Sequence, residues 1–164
     1  MEATMKEVIS VVSYWFHLTA TVIWIGGIFF ILFIAMPSAK QVLGAEAGKM
    51  MGEISKRFTP LANYSILLII LTGIVLTGFN KQFSGLSQLD NNWALILILK
   101  HALVLGMVAV HFYRGLILTP KIIMTASTEE KTAFQKKSIN LVKVNFSAGI
   151  LVLLLSGIAV VLAR

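Results

Sequence analysis

Residues 9–36 read ISVVSYWFHLTATVIWIGGIFFILFIAM and contain no Asp, Glu, Lys or Arg. A transmembrane helix needs about 20 mostly apolar residues, because each residue advances about 1.5 Å through roughly 30 Å of hydrocarbon. This run exceeds that length and is also longer than the apolar region of a signal peptide. The residues before it include Glu2 and Glu7 rather than a basic segment. The stretch therefore predicts a helix that stays in the membrane.

Three further segments are long and apolar enough to cross a membrane, at residues 61–79, 93–118 and 141–162. Prolines mark their boundaries, with Pro37 after the first segment, Pro60 before the second and Pro120 at the end of the third. The sequence therefore predicts an all-α fold, an integral membrane four-helix bundle that forms a single domain over residues 1–164. No internal repeat in the sequence is convincing.

The connection between the first two segments, from Ala39 to Phe58, spaces its apolar residues like a short helix in the membrane interface. Basic residues fix the orientation, since four lie in this connection and six lie around the connection after the third segment. The loop of residues 80–92 contains a single basic residue, Lys81. We therefore expect both termini to lie outside a bacterial-type cytoplasmic (inner) membrane, which the chain crosses several times.

The composition excludes several classes of protein. Of the 164 residues, 57% are hydrophobic and 13% are charged, whereas a soluble domain has about 25% charged residues. The chain contains no cysteine, which excludes disulfides, thiolate metal sites and covalently attached c-type haem. The net charge of +7 is explained by basic loops facing the cytoplasm, so we expect membrane lipid and no nucleic acid as a partner.

All three histidines of the chain, His17, His101 and His111, lie within predicted spans. An ionisable side chain at membrane depth costs a few kcal/mol unless it is paired or ligates something, so it marks a functional site by default. Neutral imidazole ligates haem iron or copper. The histidines are therefore the candidate metal ligands.

Depth in the membrane favours pairing two of these histidines. His17 follows Ile9 by eight residues and His101 follows Trp93 by eight, which places each about 12 Å below the outer surface. Equal depth on two helices is what bis-histidine ligation of a b-type haem requires. His111 lies about 15 Å deeper than His101 and is rotated by about 80° around the helix, so it is a competing ligand.

A polar stripe on the third segment points to a different ligand. Lys100, Met107, His111 and Arg114 recur at intervals of seven, four and three residues and share one helix face, whereas His101 lies about 100° away. If this stripe faces the interior, His111 ligates the metal instead, or serves a second cofactor or a proton path. Lys100 either pairs with a haem propionate or substrate carboxylate, or extends toward water.

Neighbouring residues extend the candidate cofactor site on the first segment. Trp24 shares a helix face with His17, and Gly27 lies about one turn further along. A glycine there allows either a flat macrocycle or another helix to approach closely. Asn145 in the fourth segment is interpreted as an interhelical hydrogen-bonding residue.

Several of these residues resemble a known family. His17, Trp24 to Phe29 and Met36-Pro37 are similar to the first helix of CopD-like membrane proteins of copper resistance. Residues in the later segments resemble the related HemJ-type protoporphyrinogen oxidases, four-helix proteins that bind haem: Lys56-Arg57-Phe58, Thr72-Gly73, Trp93, Lys100 and His111. The resemblance covers about Ser13 to Arg114. It implies haem b or copper handling, with His17, Lys100 and His111 as functional positions.

The main interpretation is a b-type haem protein that transfers electrons between the haem and a quinol or redox protein partner. His17 and His101 are its preferred axial ligands. One alternative is a membrane oxidoreductase of the HemJ type, with Lys100 or the basic loops steering propionates. Another is a copper transport or resistance component, although the seven methionines form no repeated Met-x-x-Met pattern. A structural subunit of a larger complex and a homodimer are also compatible with the sequence.

Overall fold

The computed structural model describes residues 2–79 and 92–162. Of these residues 97% are helical, and no strand occurs among them, which confirms the all-α prediction. The predicted loop of residues 80–92 lies almost wholly outside the described part. Six α-helices are present in the described ranges: α1 (Glu2–Phe30), α2 (Met36–Leu43), α3 (Ala47–Gly78), α4 (Asn92–Tyr113), α5 (Thr119–Met124) and α6 (Thr128–Leu162).

Three helical stretches of the described chain have the length and apolar character to cross a membrane: Thr4–Gly78, Asn92–Met124 and Thr128–Leu162. The chain is therefore a membrane protein, in agreement with its composition. The first stretch contains two of the four predicted spans. The predicted interfacial helix over Ala39 to Phe58 is not confirmed, because residues 39–43 belong to α2 and residues 47–58 are the first part of α3, which continues through Pro60. The proline removes only one backbone donor, and the rest of this long helix packs along α1.

The chain divides into two units, Met1–Gly85 and Leu86–Arg164. In the first unit the chain reverses direction after α2, where Gly44 adopts a φ of 51°. Glycine has no β-carbon and takes this left-handed conformation without steric penalty. The helix α3 then runs back along α1, so that Phe58 reaches Gly27 and, further along, Thr72 reaches His17. These contacts define an antiparallel helix pair.

The second unit is also an antiparallel pair, formed by α4 and α6. The amide of Glu130 bonds to the Ser127 hydroxyl (3.4 Å) at the start of α6, and two acidic residues lie in the first turn, where the helix dipole favours negative charge. The helix therefore begins at Thr128, 13 residues before the apolar segment predicted to start at residue 141. Capping and charge, rather than hydropathy, set this boundary.

Each unit contains one turn of π-helix directly before a proline-containing short helix, at Ile31–Ala35 and Arg114–Leu118. In the π-turn Arg114–Leu118, the Thr119 amide donates to the carbonyl of Arg114, five residues earlier. The ring of Pro120 would crowd a carbonyl four residues back and offers it no donor, so a wider turn relieves the conflict. The sequence predicts that the proline closes the helix. Instead, the chain stays helical through Met124.

The two units share one plan. Pro37 and Pro120 are 83 residues apart, and the same separation relates the buried side chains of Trp24 and Met107. Two further buried pairs have this separation, Ile28 with His111 and Ala35 with Leu118, and in the second helix of each unit the separation is 80 residues, for Ser65 with Asn145 and Thr72 with Val152. The sequence alone shows no repeat, because the pattern of burial recurs while the residue types differ.

Candidate functional site

The imidazole of His17 is held by Thr72 of the neighbouring helix. Its Nδ1 lies 2.8 Å from the Thr72 hydroxyl oxygen, and that hydroxyl lies 2.6 Å from the carbonyl of Leu68 on its own helix. The hydroxyl has one proton, which it donates to Leu68, so its oxygen accepts from His17 Nδ1–H. This assignment leaves the lone pair of His17 on Nε2, which makes Nε2 the ligand nitrogen.

The packing around His17 fixes the position of its ring. A β-carbon added at Gly73 would lie 3.6 Å from His17 Cε1, an ordinary van der Waals contact, so the ring lies against the α3 backbone. Trp24, two turns further along the same face of α1, is 1% exposed. The predicted common face of His17 and Trp24 is therefore the face that packs on α3.

Gly27 meets a side chain rather than open space. A β-carbon at this position would overlap the ring of Phe58. Helix packing therefore accounts for the glycine, and contact with a flat cofactor at Gly27 stays a prediction. The next residue back, Gly26, has no heavy atom within 4 Å of the corresponding position.

The polar residues of α4 and its π-turn form the second candidate region, which we call the α4 stripe: Lys100, Met107, His111 and Arg114. Met107 is 2% exposed and His111 is 8% exposed. Arg114 Nε donates to Ser138 Oγ at 3.1 Å, so the stripe faces α6. Lys100 is half-buried.

Asn145 lies level with Met107. The helices α4 and α6 are antiparallel and are joined at Arg114 and Ser138. Moving seven residues, or two helical turns, from this bond along each helix leads to Met107 and Asn145. Asn145 is 5% exposed, and its Oδ1 has no hydrogen-bond partner among the described residues. The predicted interhelical bond is therefore not made by this oxygen.

His101 has a different environment from the other two histidines. Its side chain is exposed, and its Nδ1–H donates to the carbonyl of Leu97 on the same helix at 2.6 Å. The structure agrees with the predicted displacement of His101 from the α4 stripe. His17 belongs to the first unit and His101 to the second, and ligation of one haem by both stays a prediction.

No group of three or more His, Cys, Asp or Glu side chains within residues 2–79 and 92–162 is arranged to hold a metal ion. The nitrogen and sulfur donors are instead spread along two helix faces. Thr72 and Asn145 are the residues whose place in the site the sequence did not reveal. The feature that identifies them is a buried position opposite a histidine or methionine on the neighbouring helix. Finding it requires knowing the register between the two helices.

A comparison with protein families finds that the model of copper resistance protein D matches residues 52–162. No curated protein and no solved structure matches the chain. The matched range includes Thr72, Met107, His111 and Asn145, and it begins after His17. It confirms the predicted CopD-like relationship, while the HemJ-type resemblance stays a prediction.

Proposed function

Since the chain belongs to the copper resistance protein D family, we propose that it is a copper-handling protein of the membrane, a transport or resistance component. In this function copper is cargo rather than a resident cofactor. The family favours this alternative over the haem b and electron-transfer interpretation, for which neither the family nor the described structure gives support.

The observation that carries the proposal is the pair formed by Met107 and His111. They are four residues apart on one face of α4, and both are buried. A thioether is a soft ligand that selects Cu(I), and imidazole suits copper as well. Two such donors on one buried helix face fit a copper ion and leave part of its coordination shell open. An open shell suits cargo, because an ion that moves on must be held weakly enough to leave.

Asn145 adds a third polar group at the same level of the helix pair. Its Oδ1 is buried and has no hydrogen-bond partner among the described residues, an arrangement that costs about 1–3 kcal/mol. A metal ion or its bound water would satisfy this oxygen. We therefore include Asn145 in the proposed copper site with Met107 and His111.

His17 is the proposed second copper ligand, in the first unit. Its hydrogen bond to Thr72 orients the ring and leaves the lone pair on Nε2, the nitrogen through which a metal would bind. In the predicted orientation, His17 lies about 12 Å below the outer surface.

The proposal includes four membrane crossings, by α1, α3, α4 with its π-turn, and α6. The helix α1 has 29 residues and α3 has 32, so each is longer than the roughly 30 Å hydrocarbon layer. With the basic connections in the cytoplasm, both termini lie outside. The inner membrane is the proposed location.

A Cu(I) titration of the detergent-purified protein against a chromophoric chelator tests the function. We expect His111→Ala and Met107→Leu each to weaken Cu(I) binding about tenfold or more, since each removes one ligand. Met124→Leu is the matched control, because Met124 is 83% exposed. His101→Ala is the histidine control. Cells that depend on the protein for growth in copper should lose tolerance with the same two variants and not with the controls.

The haem interpretation makes the opposite prediction for His101. If the purified protein contained iron and showed a Soret band that disappeared with both His17→Ala and His101→Ala, bis-histidine haem ligation would replace the copper proposal. Copper binding that was equal in the wild type, His111→Ala and Met107→Leu would also overturn the proposed site.

A further inference from the structure

Three cations gather where the end of α4 meets α5 and α6; we call Arg114, Lys121 and Lys137 the cationic cluster. Lys137 Nζ donates to the hydroxyl of Tyr113 at 3.0 Å and lies 5.3 Å from the centre of its ring. Lys121 Nζ lies 6.0 Å from the centre of the Phe134 ring and interacts electrostatically with the same tyrosine. The aromatic rings thus hold both ammonium groups in place.

Arg114 is fixed by a different contact. Its Nε donates to Ser138 Oγ, and Ser138 follows Lys137 on α6. One guanidinium donor is therefore used to set the orientation of the group, and the two terminal nitrogens remain as a planar set of donors. A side chain arranged in this way is prepared to bind an oxyanion through two parallel hydrogen bonds.

No carboxylate balances this charge within residues 2–79 and 92–162. The ion pair found there joins Lys49 and Glu46 in the first unit. Glu129 and Glu130 lie in the first turn of α6, and neither forms an ion pair with the cationic cluster. An anion that binds between these helices would gain charge-assisted hydrogen bonds that no carboxylate of the described residues provides.

We propose that the cationic cluster binds the phosphate group of an anionic phospholipid. Arg114 follows Trp93 by 21 residues, about 31 Å along a helix, so a span that begins at Trp93 reaches the opposite headgroup level near the cluster. Basic pockets between transmembrane helices bind such headgroups. A tetrahedral phosphate accepts bonds from a guanidinium and from ammonium groups at once. The same chemistry would accept free phosphate, and the experiment separates the two sources.

The first unit provides the contrast, since it shares the plan of the second. In the first unit, Ile31 corresponds to Arg114 and Ser38 corresponds to Lys121, each 83 residues earlier in the chain. Only Lys137 has a basic counterpart, Arg57, 80 residues earlier, which is exposed. The first unit therefore lacks the set of cations that would surround a phosphate.

Native mass spectrometry of the full chain in detergent tests this inference, with phosphatidylglycerol, phosphatidylcholine and inorganic phosphate as probes. We expect phosphatidylglycerol to bind at least about tenfold more tightly than phosphatidylcholine. The variant Arg114→Gln/Lys137→Gln should lose about tenfold in affinity for phosphatidylglycerol, the change expected when one charge-assisted hydrogen bond is lost. The control Lys56→Gln/Arg57→Gln removes the same charge from α3 and should bind as the wild type does.

Ser138→Ala is a milder variant for use if the double variant does not fold. It leaves all three cations and removes only the hydroxyl that orients Arg114, and a fewfold loss of phosphatidylglycerol binding is expected. An equal loss in the Lys56→Gln/Arg57→Gln control would mean that net charge alone attracts the lipid and would overturn the proposal. Displacement of the lipid by an equal concentration of inorganic phosphate would also overturn it, in favour of a site for free phosphate.

Discussion

His17 Nδ1 and Thr72 Oγ1 lie 2.8 Å apart and join α1 to α3 by a side-chain hydrogen bond. The Thr72 hydroxyl also bonds to the Leu68 carbonyl, so the threonine oxygen accepts and the histidine donates. One threonine therefore determines which nitrogen of the histidine carries the lone pair that a metal would bind. In the second unit the residues corresponding to His17 and Thr72 are Lys100 and Val152, which cannot form this hydrogen bond, so it is specific to the first unit.

Replacing Thr72 by valine should release the His17 ring while preserving the shape of the side chain. Nitrogen NMR of the histidine-labelled protein should show His17 as the Nδ1–H tautomer in the wild type and as a mixture in Thr72→Val. The unfolding free energy should fall by about 0.5–1.5 kcal/mol, as for other hydrogen bonds between membrane helices. Thr77→Val on the same helix is the control. An unchanged His17 tautomer in Thr72→Val would contradict the assignment.

Gly27→Ala should destabilise the protein, because the added β-carbon overlaps the Phe58 ring. Overpacking of this kind costs about 1–3 kcal/mol, which thermal unfolding in detergent measures. Gly26→Ala is the matched control, since its β-carbon meets nothing within 4 Å and alanine favours the helix. The double variant Gly27→Ala/Phe58→Leu should recover part of the loss. Equal stability of the two alanine variants would mean that Phe58 does not occupy this space.

Asn145→Leu should lower Cu(I) affinity without lowering the stability of the protein. Leucine of similar volume removes a buried oxygen that lacks a hydrogen-bond partner among the described residues, so the unfolding free energy should stay equal or rise by about 1 kcal/mol. If Asn145 belongs to the copper site, Cu(I) affinity should fall in the same variant. Ser156→Ala on α6 is the control for loss of a polar group, because its hydroxyl bonds only within its own helix at 2.8 Å. Lower stability with unchanged copper affinity would assign Asn145 a structural role.

The topology can be tested by cysteine labelling, since the chain has no natural cysteine. Single substitutions Lys49→Cys and Lys131→Cys should react only with a reagent that enters the cytoplasm. Thr4→Cys and Phe79→Cys should react with a reagent confined to the outside. This alternation is the result that four crossings require. Labelling of Thr4→Cys and Lys49→Cys from the same side would show that α1 does not cross.

The sequence was sufficient for the properties that depend on local composition. Apolar runs of 20 residues or more have one stable solution in lipid, a helix that satisfies its own backbone hydrogen bonds. The helical content, the membrane location and the polar stripe of Lys100, Met107, His111 and Arg114 follow from that constraint. The family relationship was also predicted from short stretches, and the family match over residues 52–162 includes the one at Thr72-Gly73 but not Trp24 to Phe29.

Helix boundaries were less predictable, because local hydrogen bonding outweighs hydropathy there. Pro37 and Pro120 do not end their helices, since each follows a π-turn that makes room for its ring. Residues 47–58 lie in α3 rather than in a separate interfacial helix. A pattern of apolar residues does not distinguish these outcomes.

The sequence by itself determined that this protein is helical and lies in a membrane, because those properties follow from residue type and spacing along single helices. Only the tertiary structure decided which residues meet across a helix pair: Thr72 with His17, Phe58 with Gly27, and Ser138 with Arg114. It also revealed the plan shared by the two units. Register between helices depends on how two surfaces fit together, and no spacing within one helix specifies it.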